Sequence, residues 1–214
     1  MKTIVFDFDG TLANTLPIIV STFQHLFRTY KGVTASAEEV MALFGPTEEG
    51  MLHDLLPEED WAQAERDLYT YYRQYQSQQG EADPDIIALL DYVKKKGVKL
   101  AIFTGKGRCC LDISLEYLQI EHYFDVMITG DDVARPKPNS EGLRKAIDLC
   151  DATPAETIYV GDSDADIAAG KSAGVLTVGA CWMERTQSEH FIQAPDRVYQ
   201  QVSDFLNDLK HQHI

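Results

Sequence analysis

The sequence predicts an α/β fold, a parallel sheet interrupted after its first strand by an inserted α-helical block. Three observations predict it. From about residue 83 onward, short apolar runs alternate with stretches of helical period, and strands separated by helices imply parallel βαβ units. Residues 15 to 80 instead carry helical periodicity throughout. The 214 residues, 44% hydrophobic and 25% charged, suit a soluble globular chain with one sizeable core and an inserted subdomain. The expected division is therefore an α/β core of 1–14 and 81–214 and a helical subdomain of 15–80.

Thr3-Ile4-Val5-Phe6 reads as the first, buried strand. Side chains alternate along a strand, so Asp7 and Asp9 leave its end on one side, beside the Gly10-Thr11 turn. Leu16, Ile19, Val20, Phe23, Leu26, Phe27 and Tyr30 then recur at helical spacing, with Asn14 or Thr15 and Pro17 marking the start. Ser36-Ala37-Glu38-Glu39 is a capping box for a helix running towards Phe44, and Gly45-Pro46 ends it. Thr47 caps a third helix through Met51, Leu52, Leu55 and Leu56. A fourth begins near Pro57 and carries an aromatic stripe, Trp61, Tyr71, Tyr72 and Tyr75, read as packing.

Asp83-Pro84 supplies an N-cap and a first-turn proline for the helix at 85–96, whose Lys94-Lys95-Lys96 run is a solvated last turn favoured by the helix dipole. Strands are expected at about 98–103, 125–129, 157–160 and 175–178. Thr153-Pro154-Ala155-Glu156 is a second capping box before the third of these.

A formal charge of −15 argues against nucleic acid and acidic membrane surfaces as partners, since both draw affinity from clustered Lys and Arg. Apolar runs are only strand-length, and the chain enters a strand almost at once, so no membrane span or signal peptide is expected and the location is cytoplasmic. Cys109, Cys110, Cys150 and Cys181 lack metal or redox spacing and read as reduced packing thiols. The paired His211 and His213 belong to a solvated tail.

Two carboxylates as close as Asp7 and Asp9 repel, and a stable site needs a cation or a shared proton, which points to a Mg²⁺ site or to a nucleophile beside an acid. Asp-Gly alone is also a common turn dipeptide, but here the apolar run, paired acids, Gly and Thr coincide. Later strand ends carry Thr104-Gly105-Lys106 and Gly161-Asp162-Ser163-Asp164-Ala165-Asp166, and between them a helix entry carries Arg135-Pro136-Lys137-Pro138. Ligands of open parallel sheets sit outside the carboxyl ends of the strands, where Asp7, Thr104 and Asp162 fall.

Asp7-Phe8-Asp9-Gly10-Thr11 resembles the first motif of the haloacid dehalogenase-like (HAD) superfamily, and the other three segments are similar to its remaining motifs in order. The resemblance implies a Rossmann-like, HAD-like core with a helical cap, and an enzyme: a Mg²⁺-dependent phosphatase of a small phosphorylated metabolite, phosphoglycolate phosphatase-like. It implies that Asp7 is the nucleophile forming an aspartyl-phosphate, and that Asp9 protonates the leaving oxygen and then activates water. Thr104 and Lys137 would hold the transferring oxygens, with backbone N–H groups near Phe8, Asp9, Gly10 and Gly105. Mg²⁺ would sit on Asp7, Asp162 and the Asp9 carbonyl, and Asp166 would support Lys137 or the metal from behind. Asp164 is read as a helix cap. The same acids would also serve a sugar-phosphate mutase of the β-phosphoglucomutase type, and a non-catalytic regulatory protein on this fold is a third reading. A monomer or homodimer is expected.

Two positions depart from the family pattern, Gly105 where Asn is frequent and a third motif lacking its second proline. Substrate choice is assigned to the loop Phe44-Gly45-Pro46-Thr47-Glu48-Glu49 acting with Lys106 and Arg108, because a Gly-Pro break can project a loop and Thr47 opens a helix whose free N–H groups can meet an anion. An ordinary capped helix has the same pattern.

Overall fold

In the computed structural model, which describes residues 1–184, 186–188, 190–211 and 213, six parallel strands form one sheet. They are β1 (Thr3–Phe6), β2 (Lys99–Phe103), β3 (Val126–Ile128), β4 (Thr157–Gly161), β5 (Leu176–Ala180) and β6 (Arg197–Tyr199), in the spatial order β3-β2-β1-β4-β5-β6. β1 lies at the centre, with Val5 opposite Ala101 of β2 on one side and Tyr159 of β4 on the other. The expected strands stand within a residue or two of their predicted bounds. β6 was not foreseen, because three residues between Pro195 and the last helix give too short a run to show alternation.

Chain alternation sorts the sheet into two packed faces. Ile4 and Phe6 with Leu100, Ile102, Ile158 and Val160 face one layer, formed by α5 (Pro84–Lys95), α6 (Arg108–Leu118) and α9 (Val202–His211). Val5, Ala101, Phe103 and Tyr159 face the other, formed by α7 (Glu141–Leu149) and α8 (Asp164–Ala173). Burial on both faces explains why these strands read as nearly continuous apolar runs.

Between β1 and α5 the chain builds α1 (Leu16–Leu26), α2 (Ala37–Met41), α3 (Glu48–Leu55) and α4 (Glu58–Gln76). They share a separate core of Ile18, Phe23, Leu26, Val40, Leu52, Leu68 and Tyr72, to which Cys110 and Ile113 of α6 contribute. α1 passes into a π-helical turn at Phe27–Lys31 that closes on Gly32 with φ +66°, a left-handed stop that suits glycine. α2 ends at Met41 rather than near Phe44. The Ser36 and Thr153 capping boxes form as expected, and Asp83 caps α5. No helix among the described residues is long and apolar enough to cross a membrane, and all four cysteines are free thiols.

Candidate active site

The first strand does not lose its alternation when it ends. Phe8 stays buried with Ile4 and Phe6, so Asp7 and Asp9 project to the opposite side, towards a cavity of about 120 Å³ beyond the strand ends. The Asp7 N–H still donates to Val160 O (2.8 Å), and Phe8 O then accepts from Leu12 (2.9 Å) and Ala13 (3.1 Å) as the chain turns away. Phe8 therefore serves the site through its backbone turn, with its ring in the core. Gly10 is also not a cavity residue. It has φ +82°, its N–H donates to Ala13 O (2.8 Å), and a Cβ there would stand 2.4 Å from Asp162 Oδ2. Glycine is needed so that this turn and Asp162 can approach.

Lys137, in the loop between β3 and α7, places Nζ 2.7 Å from Asp7 Oδ1 and 2.7 Å from Asp166 Oδ1. Asp166 also accepts from Tyr159 Oη (2.6 Å), from Ser163 Oγ (2.6 Å) and from the Ser163 N–H (3.1 Å). Both its oxygens are filled by protein donors, which makes it the anchor of Lys137. Its carboxylate is the third helical residue of a capping box with Ser163. Ser163, not Asp164, caps α8; Asp164 instead accepts from the Ile192 N–H (2.7 Å).

Asp162 is buried at the end of β4 and accepts from Thr11 Oγ1 (3.3 Å) and the Gln187 N–H (2.6 Å). Oxygens of Asp7, Asp162 and Asp166 lie within 4.8 Å of one another, and Lys137 is the cation that neutralises them among the described residues. Burial pushes the Asp7 carboxyl up to about 7 against the pull of Lys137, with Asp166 and Asp9 adding to the rise. Burial likewise drives Asp162 well above the carboxylate range, helped by Asp7 and Asp166. Buried acids short of positive charge, offering hard oxygen donors, fit a divalent cation such as Mg²⁺. With Asp166 saturated, Asp7 and Asp162 are the carboxylates that can hold one.

Asp9 occupies a different environment. It accepts from Thr15 Oγ1 (2.5 Å) and from Lys106 Nζ (3.0 Å). Lys106, with no side-chain exposure, also donates to Glu48 Oε1 (2.7 Å), and Glu48 Oε2 accepts the Gly107 N–H (2.8 Å). The ammonium stands 4.6 Å over the ring of Tyr72, a favourable cation–π arrangement. Burial opposes the Lys106 charge, but Asp9 and Glu48 outweigh it and hold its pKa well above the usual range.

Thr104 follows β2, donates its N–H to Ile128 O (3.0 Å) and accepts the Lys106 N–H on its hydroxyl (3.2 Å). The cavity thus brings together Asp7, Asp9, Thr104, Gly105, Lys106 and Lys137, with Ser163 and Gln187 at its edge. Across from them stand Leu16, Ile19, Phe44, Pro46, Glu48 and Met51 of the helical segment. Thr47 and Arg108 do not join them. The Thr47 hydroxyl accepts the Gly50 N–H of its own helix (3.2 Å), and the Arg108 guanidinium binds Asp132 (2.6 Å) and Met127 O (3.0 Å).

Three contributors were missed by sequence reasoning. Glu48 looked like a first-turn acid, Tyr72 like one member of a packing stripe, and Tyr159 like an ordinary strand residue. A signal existed only for Glu48, which sits in the loop already assigned to substrate choice.

The haloacid dehalogenase-like hydrolase family model matches residues 4–180. A pyrophosphatase, PpaX, from Bacillus mycoides is 35% identical over 210 residues, covering 96% of this chain and 95% of the relative. PpaX from Bacillus cereus is 34% identical with the same coverage. Among solved structures, a predicted phosphoglycolate phosphatase from Haemophilus somnus superposes with a TM-score of 0.84 at 25% identity, covering 98% of both chains. CbbY from Rhodobacter sphaeroides shares the fold, with a TM-score of 0.83 at 23% identity over 96% of each chain. The chain belongs to the haloacid dehalogenase-like hydrolase family.

Proposed function

We propose that this hydrolase is a Mg²⁺-dependent phosphatase that releases phosphate from a small phosphorylated metabolite through an aspartyl-phosphate on Asp7. The observation that carries the reading is the split between two acids two residues apart. Asp7 shares its lysine with Asp166 and adjoins Asp162, whereas Asp9 faces Thr15 and Lys106. A nucleophile and a proton carrier need such separate settings.

In this account Asp7 Oδ attacks phosphorus, the bond to the leaving oxygen breaks, and Asp9 delivers a proton to that oxygen. Water then attacks the phosphorus of the acyl phosphate, Asp9 takes the proton from the water, and the Asp7 carboxylate is regenerated. Lys137 and the Thr104 hydroxyl hold the non-bridging oxygens, with the Gly105 backbone beside them. Mg²⁺, held by Asp7, Asp162 and the Asp9 carbonyl, would supply the charge that keeps Asp7 ionised and offsets the phosphoryl group. Residues 15–80 act as the cap, closing the cavity with Phe44, Pro46 and Glu48.

The name of the curated relatives brings inorganic pyrophosphate into the substrate panel, and the structural neighbour brings phosphoglycolate. Phosphate release across phosphorylated metabolites and an aryl phosphate, with Mg²⁺ and with excess chelator, tests the proposal. Metal-dependent release supports it. Interconversion of sugar phosphates without net release would favour the mutase, and no turnover of any substrate would favour a regulatory protein.

A further inference from the structure

The cavity wall formed by the helical segment carries a charge pattern that bears on the leaving group. Lys106 is the lysine nearest to where a leaving group must sit, because it touches Asp9. Its ammonium is already shared by two carboxylates, Asp9 at 3.0 Å and Glu48 at 2.7 Å, all three buried. When Asp9 carries the proton that it delivers to the leaving oxygen, Glu48 alone cancels the ammonium and the trio is neutral. Lys137, the other lysine lining the cavity among the described residues, is likewise held between Asp7 and Asp166. On the helical segment's side, the wall apart from Glu48 and Gly45 consists of the apolar residues Leu16, Ile19, Phe44, Pro46 and Met51.

Glu48 is not needed to cap its helix, since Thr47 already does so. Its carboxylate is spent on Lys106 and on the Gly107 N–H. Without Glu48, Lys106 would face the cavity opposed by Asp9 alone, and an anionic leaving group would meet a cation not yet neutralised twice over. With it, a carboxylate or second phosphate brought to this end meets an ammonium already paired and, on the helical side, apolar side chains, in a buried setting where an unpaired charge is costly.

Resting on the phosphatase reading above, we infer that Glu48, by neutralising Lys106, selects phosphate monoesters of compact, uncharged alcohols over substrates whose leaving group is itself an anion. Glu48 is thus a specificity-determining residue, and the substrate class differs from that named for the pyrophosphatase relatives.

The test compares kcat/KM for propyl phosphate with that for phosphoglycolate and inorganic pyrophosphate, in the Mg²⁺-loaded wild type and in Glu48→Gln. The wild type should favour propyl phosphate by at least about tenfold, equivalent to about 1.4 kcal/mol, and Glu48→Gln should narrow that ratio several-fold or invert it. The wild-type ratio needs no variant, so the inference stays testable if Glu48→Gln fails to fold. Release from all substrates with the anionic ones preferred, or a ratio unmoved in a folded Glu48→Gln, overturns the inference and leaves the phosphatase reading standing. Failure to release phosphate from any ester, an aryl phosphate included, overturns both.

Discussion

Lys137 and Asp7 lie 130 positions apart in the chain, yet Lys137 Nζ stands 2.7 Å from Asp7 Oδ1. β1 ends at the sheet centre and delivers Asp7, while the loop after β3 returns past β2 to deliver the lysine. Asp166 fixes the other side of the ammonium at 2.7 Å. Lys137 is thereby pointed at the proposed nucleophile before any substrate arrives, an arrangement that would leave little reorganisation for the reaction.

Asp166 should be a stability residue as much as an activity residue. Its four accepted hydrogen bonds bind Lys137, Tyr159 and Ser163 together in a buried setting. Asp166→Ala should destabilise the fold by about 3–5 kcal/mol, because it leaves a largely buried ammonium half-paired and takes the acceptor from the Ser163 hydroxyl and N–H, while the Tyr159 hydroxyl keeps Phe103 O. Tyr159→Phe should cost only about 1 kcal/mol. Urea unfolding checks both, and a loss in Asp166→Ala no larger than in Tyr159→Phe would contradict the anchoring role.

Asp9→Asn should harm turnover of alkyl phosphates more than of aryl phosphates, since a phenolate leaves with little protonation and an alkoxide does not. The expected gap in kcat is about tenfold or more, within the usual range for general acid catalysis of roughly 10²–10⁴. Equal defects on both substrates would reduce Asp9 to a structural role.

Stability of the metal-free protein should depend on pH in an unusual direction. Asp7 rises from 3.8 to about 7 on folding, so between those values the native state keeps a proton that the unfolded chain has lost. Stability then falls as pH rises from about 4 to about 7. Asp162, also raised, acts in the same sense. Carboxyls lowered by partners, such as Asp196 at about 2 beside Lys171 and the Thr177 N–H, act oppositely but only below about pH 4. Urea midpoints in excess chelator should decline across this window, Asp7→Asn should flatten the decline, and added Mg²⁺ should relieve it. A midpoint rising from pH 4 to 7 in chelator would contradict the burial argument.

The sheet was legible because both of its faces are covered, which leaves strands as plain apolar runs between capped helices. The site acids were legible because each follows a strand in a fixed local pattern. What escaped was pairing across distance. The loop holding Glu48 is expected to act with Lys106, but nothing in sequence indicates that Glu48 itself is its ion-pair partner, 58 residues away, and nothing near Tyr159 indicates that its hydroxyl ends on Asp166. Thr47 shows the reverse problem, because a residue that opens a helix looks the same whether it caps its own backbone or meets a ligand. β6 was too short for its periodicity to register.

The account rests on Asp7 as the group that becomes phosphorylated, and trapping the acyl phosphate tests this most directly. During turnover of an aryl phosphate with Mg²⁺, a borohydride quench reduces an aspartyl-phosphate to homoserine, and peptide mass spectrometry locates it. The account predicts homoserine at position 7 in the wild type and none in Asp7→Asn, with phosphate release in that variant lowered by roughly 10³ or more, as for loss of a nucleophile. Phosphate released at the wild-type rate with Asp7 unmodified, or homoserine at position 9 instead, would contradict it.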